Sequence, residues 1–213
     1  HYRAIAGADR ELASDDLLLL DSGGHYRDGT TDITRTIAIG TPPKGAVAAY
    51  SHVLQSHIHL AMAKFPTGTN GKQLDAIARA PLWAAGLDFA HGTGHGVGHV
   101  LSVHEGPASI SKRGDVALEV GMVLSNEPGY YQTGDWGIRI ENLIVVTPAK
   151  QTGFLEFETI TLCPLDRWLI DKTFLVADEI GWIDHYHRAV YEQLHPHLSP
   201  MAKSWLEAAC RQL

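Results

Sequence analysis

The run Leu17-Leu18-Leu19-Leu20 closes on Asp21, and Asp32 opens a second run, Ile33-Thr34-Arg35-Thr36-Ile37-Ala38-Ile39, rich in β-branched residues. An unbroken apolar stretch of strand length bounded by turn residues suits a sheet interior, so the first run reads as a buried strand and the second as the strand returning beside it. The connector Gly23-Gly24-His25-Tyr26-Arg27-Asp28-Gly29 carries glycine at both ends and predicts a hairpin. Such a hairpin would bring Asp21 and Asp32 together. Two carboxylates buried side by side repel, and a cation is the usual remedy.

Three further segments supply ligand types. The first is His91-Gly92-Thr93-Gly94-His95-Gly96-Val97-Gly98-His99, continuing to Val103-His104-Glu105-Gly106-Pro107. Its alternating glycines would let the backbone approach a ligand closely while imidazoles project between them. The glycines do not form a Gly-x-Gly-x-x-Gly fingerprint, and Ala108 stands where a zincin helix would carry its second histidine. The other segments are Ser125-Asn126-Glu127-Pro128-Gly129-Tyr130-Tyr131 and Gly137-Ile138-Arg139-Ile140-Glu141-Asn142. Alone, each aspartate would read as a turn cap and Glu127 as a solvated strand end. Together, Asp21, Asp32, His95, Glu127 and Glu141 make the ligand inventory of a two-metal hydrolase. Carboxylates suit hard dications and bridge them, an imidazole suits Mn, Zn, Co or Fe, and the combined charge nearly balances two dications.

These segments, DSGGHYRDGTTDITRT from Asp21, HGTGHGVGHVLSVHEGP from His91, NEPGYY from Asn126 and GIRIEN from Gly137, together with the closing stretch Phe157 to Pro164, resemble the catalytic domain of the pita-bread metallopeptidases, and within them the aminopeptidases P. The resemblance implies an α+β fold with a curved, mostly antiparallel sheet and helices packed outside. It gives Asp21 to one metal, Asp32 and Glu141 to both as bridges, and His95 and Glu127 to the other. It makes Glu127 the proton shuttle, His91 and His104 pocket histidines that steady the scissile carbonyl, and Arg139 an active-site arginine. Tyr131 is a candidate wall of the substrate pocket, and His1 falls where the family has another pocket histidine. The implied reaction is hydrolysis of an N-terminal Xaa-Pro bond by a hydroxide bridging two divalent ions, expected to be Mn²⁺, with Zn²⁺ or Co²⁺ as alternatives. Prolidase activity on Xaa-Pro dipeptides and a noncatalytic peptide-binding module are the rival readings. The family's domain begins well before a residue like His1 and no initiator Met opens the chain, so a C-terminal catalytic piece lacking the first part of its domain is expected. Its core would span 1–175 and a helical tail about 175–213.

The 213 residues suffice for a substantial core. A net charge of -7 without a basic cluster argues against nucleic acid. No apolar run is long enough to span a bilayer. The cysteines Cys163 and Cys210 make no disulfide framework, which favours a reducing, cytoplasmic setting. The expected partners are peptides with proline second; a homodimer is compatible with the sequence, which leaves assembly open. Helical spacing of Val47, Tyr50, Leu54, Ile58, Ala61 and Phe65 predicts a helix near 44–65, and a second is predicted from Gly71 to Ala85 with Asn70 as cap and Gly86 as stop. Strands are expected at 122–127, 138–147 and 155–162. His52, His57 and His59, and the tail histidines His185, His187, His195 and His197, are expected at the surface. His25 and Asp28 are placed at the hairpin tip, and His99 beyond the metal loop.

Overall fold

The computed structural model describes residues 6, 7 and 9–213. In chain order the elements are β1 (Asp15–Tyr26), β2 (Gly29–Gly40), α1 (Ala46–Ala61), β3 (Lys64–Pro66), α2 (Gly71–Ala84), β4 (Gly94–His95), β5 (Ser109–Ile110), β6 (Val123–Asn126), β7 (Gly129–Gln132), β8 (Trp136–Arg139), β9 (Asn142–Pro148), β10 (Phe154–Thr159), α3 (Ala177–Leu194) and α4 (Pro200–Ala209). Every strand pairing is antiparallel. The largest sheet runs β3-β10-β9-β6, and β1-β2, β4-β5 and β7-β8 form two-stranded ribbons. An isolated bridge from Gly96 to Leu124 ties the β4-β5 ribbon to the large sheet, and one from Thr34 to Glu141 ties the β1-β2 ribbon to the residue just before β9.

Leu60, Phe65, Leu74, Ala78, Ile110, Leu118, Leu124, Ile144, Val146 and Phe157 bury one side of that sheet beneath α1 and α2. A second core joins α1 to α3 and α4 through Tyr50, Val53, Leu54, Ile58, Leu169, Ile183, Val190 and Leu206. Helix α1 therefore faces two cores, and this is why its histidine pattern misleads: His57 is fully buried, His52 half-buried and only His59 exposed. His57 Nε2 accepts from Asn142 Nδ2 at 3.2 Å, and the surrounding protein drives the ring down to about 3 by burial. His187 is likewise buried rather than superficial, and its Nε2 accepts the Leu165 amide at 3.1 Å. Helix α2 starts as expected, with Asn70 Oδ1 accepting from the Gln73 amide and Gln73 Oε1 from the Asn70 amide.

Two expectations about strands are corrected. The apolar run of β1 is half-buried rather than interior, with Leu20 exposed, because among the described residues β1 pairs only with β2 and turns one face outward. The stretch 138–147 is not one strand: it breaks after Arg139, leaves the β7-β8 ribbon, and resumes at Asn142 in the large sheet. Glu141 stands at that switch. No helix among the described residues is long and apolar enough to cross a membrane.

Candidate metal centre

The β1-β2 hairpin turns at Arg27-Asp28, tighter than the glycine-bounded connector suggests, and pairs Asp21 with Thr34 and Gly23 with Asp32. Paired residues share a face and so do residues two apart, so Asp21, Thr34 and Asp32 lie on one face as diagonal neighbours. Asp32 is buried but Asp21 is about half exposed, so the aspartates are not enclosed together as expected. The Thr34–Glu141 bridge lays Glu141 across that face: the Glu141 amide donates to the Thr34 carbonyl at 3.1 Å, and Thr34 Oγ1 donates to Glu141 Oε2 at 2.6 Å.

His95 arrives on β4. The glycines around it do not open the backbone to a ligand: a Cβ on Gly94 would stand 2.0 Å from the Ser125 carbonyl oxygen, and one on Gly96 2.2 Å from that of Glu105. They let the loop pack against the protein's own backbone. His95 Nδ1 donates to the Gly96 carbonyl at 2.9 Å, which turns Nε2 toward Asp32 Oδ2 at 3.5 Å and Glu127 Oε1 at 3.4 Å. A ring whose second nitrogen is fixed in this way presents its lone pair in one direction. Glu127 enters just beyond β6, its amide held by the Thr93 carbonyl at 2.8 Å and its carboxylate by Ser125 Oγ at 3.1 Å.

Ligand atoms of Asp21, Asp32 and Glu141 lie within 4.8 Å of one another, and so do those of His95, Glu127 and Glu141. Glu141 is common to both groups. A third such group joins Asp32, His95 and His104, whose ring lies 4.0 Å from that of His95. All of these residues line one pocket of about 360 Å³ with Gly23, Gly24, His25 and Thr31. The electrostatics of the donor set suit cations. Burial, then the charge of Glu127, pushes Glu141 up to about 8; burial pushes Glu127 up to about 7, with Asp32 adding to it. Burial lowers His95, but Asp32, the Gly96 carbonyl and Glu127 outweigh it and hold the ring above its ordinary range. Burial, then His95, lowers His104. The cluster thus gathers protons to offset its own negative charge, which a divalent ion would do in their place.

A second network lines the rim. Arg139 donates to Asp21 Oδ2, to Thr34 Oγ1 at 3.2 Å and to Tyr131 Oη at 3.1 Å, and lies 3.9 Å from Glu127. His91 Nδ1 donates to the Gly92 carbonyl at 2.8 Å, so its Nε2 accepts from the Tyr131 hydroxyl at 2.7 Å. Both ring nitrogens of His91 are therefore occupied, and Tyr131 stands between that ring and Arg139. His1 lies outside the described residues. Sequence reasoning missed Thr34 and Ser125, the hydroxyls that orient Glu141 and Glu127. Each sits two residues from a singled-out carboxylate, and strand periodicity could have found them.

The pattern defining metallopeptidase family M24 matches residues 1–148. The chain belongs to that family. The C-terminal region of peptidase M24 matches residues 153–213. Aminopeptidase P1 of Lotus japonicus is 47% identical to this M24 chain over 217 residues, covering 98% of it and 33% of the relative. Xaa-Pro aminopeptidase app-1 of Caenorhabditis elegans is 43% identical over 225 residues, covering 100% of the chain and 36% of the relative. The crystal structure of the X-prolyl aminopeptidase of C. elegans, described as a cytosolic enzyme with a di-nuclear active site, superposes with a TM-score of 0.95 at 43% identity over 100% of this chain and 36% of that one. The prolidase of Thermococcus sibiricus gives 0.66 at 30% identity over 80% of this chain and 43% of that one. The fold is that of the pita-bread M24 peptidases, and the chain spans about a third of the length of the curated relatives it matches.

Proposed function

We propose that this M24 chain carries the catalytic centre of a dinuclear-metal aminopeptidase that hydrolyses the bond between an N-terminal residue and a following proline. The observation that carries the reading is the pair of donor groups sharing Glu141. In it Asp21 would hold one ion, His95 and Glu127 the other, and Asp32 and Glu141 would be available to both. Residues 1–213 serve as part of the catalytic domain, with the core in 1–175 and the helical tail from about 175. The oxygen-rich set favours Mn²⁺, with Zn²⁺ and Co²⁺ as substitutes. Two such ions would supply Lewis acidity and lower the pKa of a shared water.

The chain's own side chains do the rest. Glu127 takes the proton of the attacking water and passes it to the proline nitrogen, which must gain a proton to leave as a secondary amine. His104, beside His95, donates toward the oxygen that becomes negative as the carbonyl is attacked. Arg139 holds Asp21 in place and, with Tyr131 and His91, forms the rim against which the substrate is oriented; His1 is a further substrate-binding candidate by family resemblance alone. The selectivity for proline comes from kinship with relatives named Xaa-Pro aminopeptidases, and the cytoplasm is taken as its setting from the C. elegans enzyme. Likeness to prolidase favours one second reading, Xaa-Pro dipeptide hydrolysis. Full-length protein loaded with Mn²⁺ and offered an Xaa-Pro-Yaa tripeptide, its Xaa-Ala-Yaa analogue and an Xaa-Pro dipeptide tests both. Preferred cleavage of the first is expected; equal turnover of the proline and alanine tripeptides refutes proline selectivity, and preference for the dipeptide selects prolidase.

A further inference from the structure

Behind the pocket, on the side away from solvent, Arg35 of β2 is 5% exposed, and none of its six hydrogen-bond partners is a carboxylate. Nη1 donates to the carbonyls of Thr34 at 2.9 Å and Glu141 at 2.7 Å. Nε donates to the Pro164 carbonyl at 3.0 Å, and Nη2 to Asn142 Oδ1, the Cys163 carbonyl and the Tyr186 hydroxyl at 2.8, 2.8 and 2.9 Å. All five N–H groups of the fork are used. Burying a cation against neutral oxygens is a costly way to gain stability, since apolar side chains of the same volume serve as well. What the fork provides is placement. Glu141 lies at the switch between β8 and β9, outside both regular ladders, and its peptide is gripped instead by Thr34 on one side and Arg35 on the other. Arg35 is in turn backed by Tyr186 of α3, which stacks on Trp182 at 5.2 Å and donates to the Cys163 or Thr161 carbonyl.

We propose that Arg35 and Tyr186 are positioning residues for the metal centre, fixing Glu141 from behind and making the C-terminal region a working part of it. The proposal rests on reading Glu141 as the ligand common to two ions. Outer partners of metal ligands typically control about 10- to 100-fold in metal affinity or activity. The test uses the full-length protein with Tyr186→Phe, which keeps the ring and its stacking, Arg35→Lys, which keeps the charge without the fork, and Arg35→Met. Mn²⁺ titration, the electron paramagnetic resonance of the loaded protein, and kcat and KM are measured together. Cooperatively melting variants should bind Mn²⁺ roughly 10-fold more weakly, lose the spin-coupled two-manganese signal in favour of isolated ions, and show lowered kcat with KM within about twofold. A role in packing alone would shift the melting temperature without these changes. Tyr186→Phe and Arg35→Lys with unaltered Mn²⁺ affinity, spectrum and kcat would overturn the proposal, whatever Arg35→Met does to folding. Unmodified protein that takes up two Mn²⁺ yet leaves Xaa-Pro peptides intact would refute the proposed activity, while the Mn²⁺ comparison alone would still decide the roles of Arg35 and Tyr186.

Discussion

With no cation beside them, Glu141 at about 8 stays mostly protonated at pH 7 and Glu127 at about 7 is half protonated. A divalent ion must displace those protons to use the oxygens, so binding at pH 7 should release roughly one to two protons, and affinity should climb as pH rises toward 8. Calorimetry of Mn²⁺ binding in two buffers of different ionisation enthalpy reads this directly; a buffer-independent heat would contradict the assignment. His95 and His104, 4.0 Å apart, should separate in the same assay. His95→Ala is expected to weaken metal binding, whereas His104→Ala should keep the metal and lower kcat on the order of 10²- to 10³-fold, the usual loss for one electrostatic donor. Metal loss in His104→Ala would instead promote the Asp32–His95–His104 group to a ligand set. The carboxylates and His95 were legible as a set because ligand chemistry restricts residue type. Thr34 and Ser125 left only the weak trace of strand periodicity, and Arg35 left none, because a buried guanidinium has no signature until its acceptors from distant segments are known.

At the scale of elements, α2 was readable end to end because its start lies in local chemistry, the reciprocal Asn70–Gln73 cap. Helix α1 shows the opposite case. Its existence followed from periodicity, but it ends at Ala61 rather than near 65, Phe65 belonging to β3; which faces are buried depends on α3 packing over it, and nothing within 46–61 reveals that a second core exists. His57 paid for that blindness by being assigned to solvent. Its depressed affinity for protons sets a sign: the unfolded chain titrates near 6.5, the folded ring only at about 3, so stability is complete above 6.5 and declines as pH falls below it. The His57 ring resonances should accordingly stay fixed between pH 7.5 and 5, and a midpoint near 6.5 would show that the ring is not held neutral in the core. The break between β8 and β9 was hidden for a related reason, since Arg139-Ile140-Glu141-Asn142 alternates like one continuous strand while its pairing partners change.

Across the whole molecule, the donors come from the β1-β2 hairpin, the β4 loop and the edges of the large sheet, units that separate bridges join. Ions held there would cross-link those units, so removal by chelator should lower the melting temperature. Each site filled at 100 times its Kd contributes about 2.7 kcal/mol of stability by mass action. A melting temperature indifferent to chelation and Mn²⁺ would mean that the ions do not span the units. The fold class was legible because antiparallel pairing of neighbouring runs is local. The arrangement of the ribbons around the large sheet was not, because it rests on contacts such as Thr34–Glu141 that join distant parts of the chain.

That one bridge also sets an order of events during biosynthesis. A nascent chain that has emerged only through the hairpin presents Asp21 and Asp32 but lacks His95, Glu127 and Glu141, and the fork of Arg35 still awaits Cys163, Pro164 and Tyr186. Translation delivers these N-terminal first, at about 5–20 residues per second. Metallation therefore waits until the segments through Glu141 have emerged, and a polypeptide released before that point would carry half a chelate with nothing to close it.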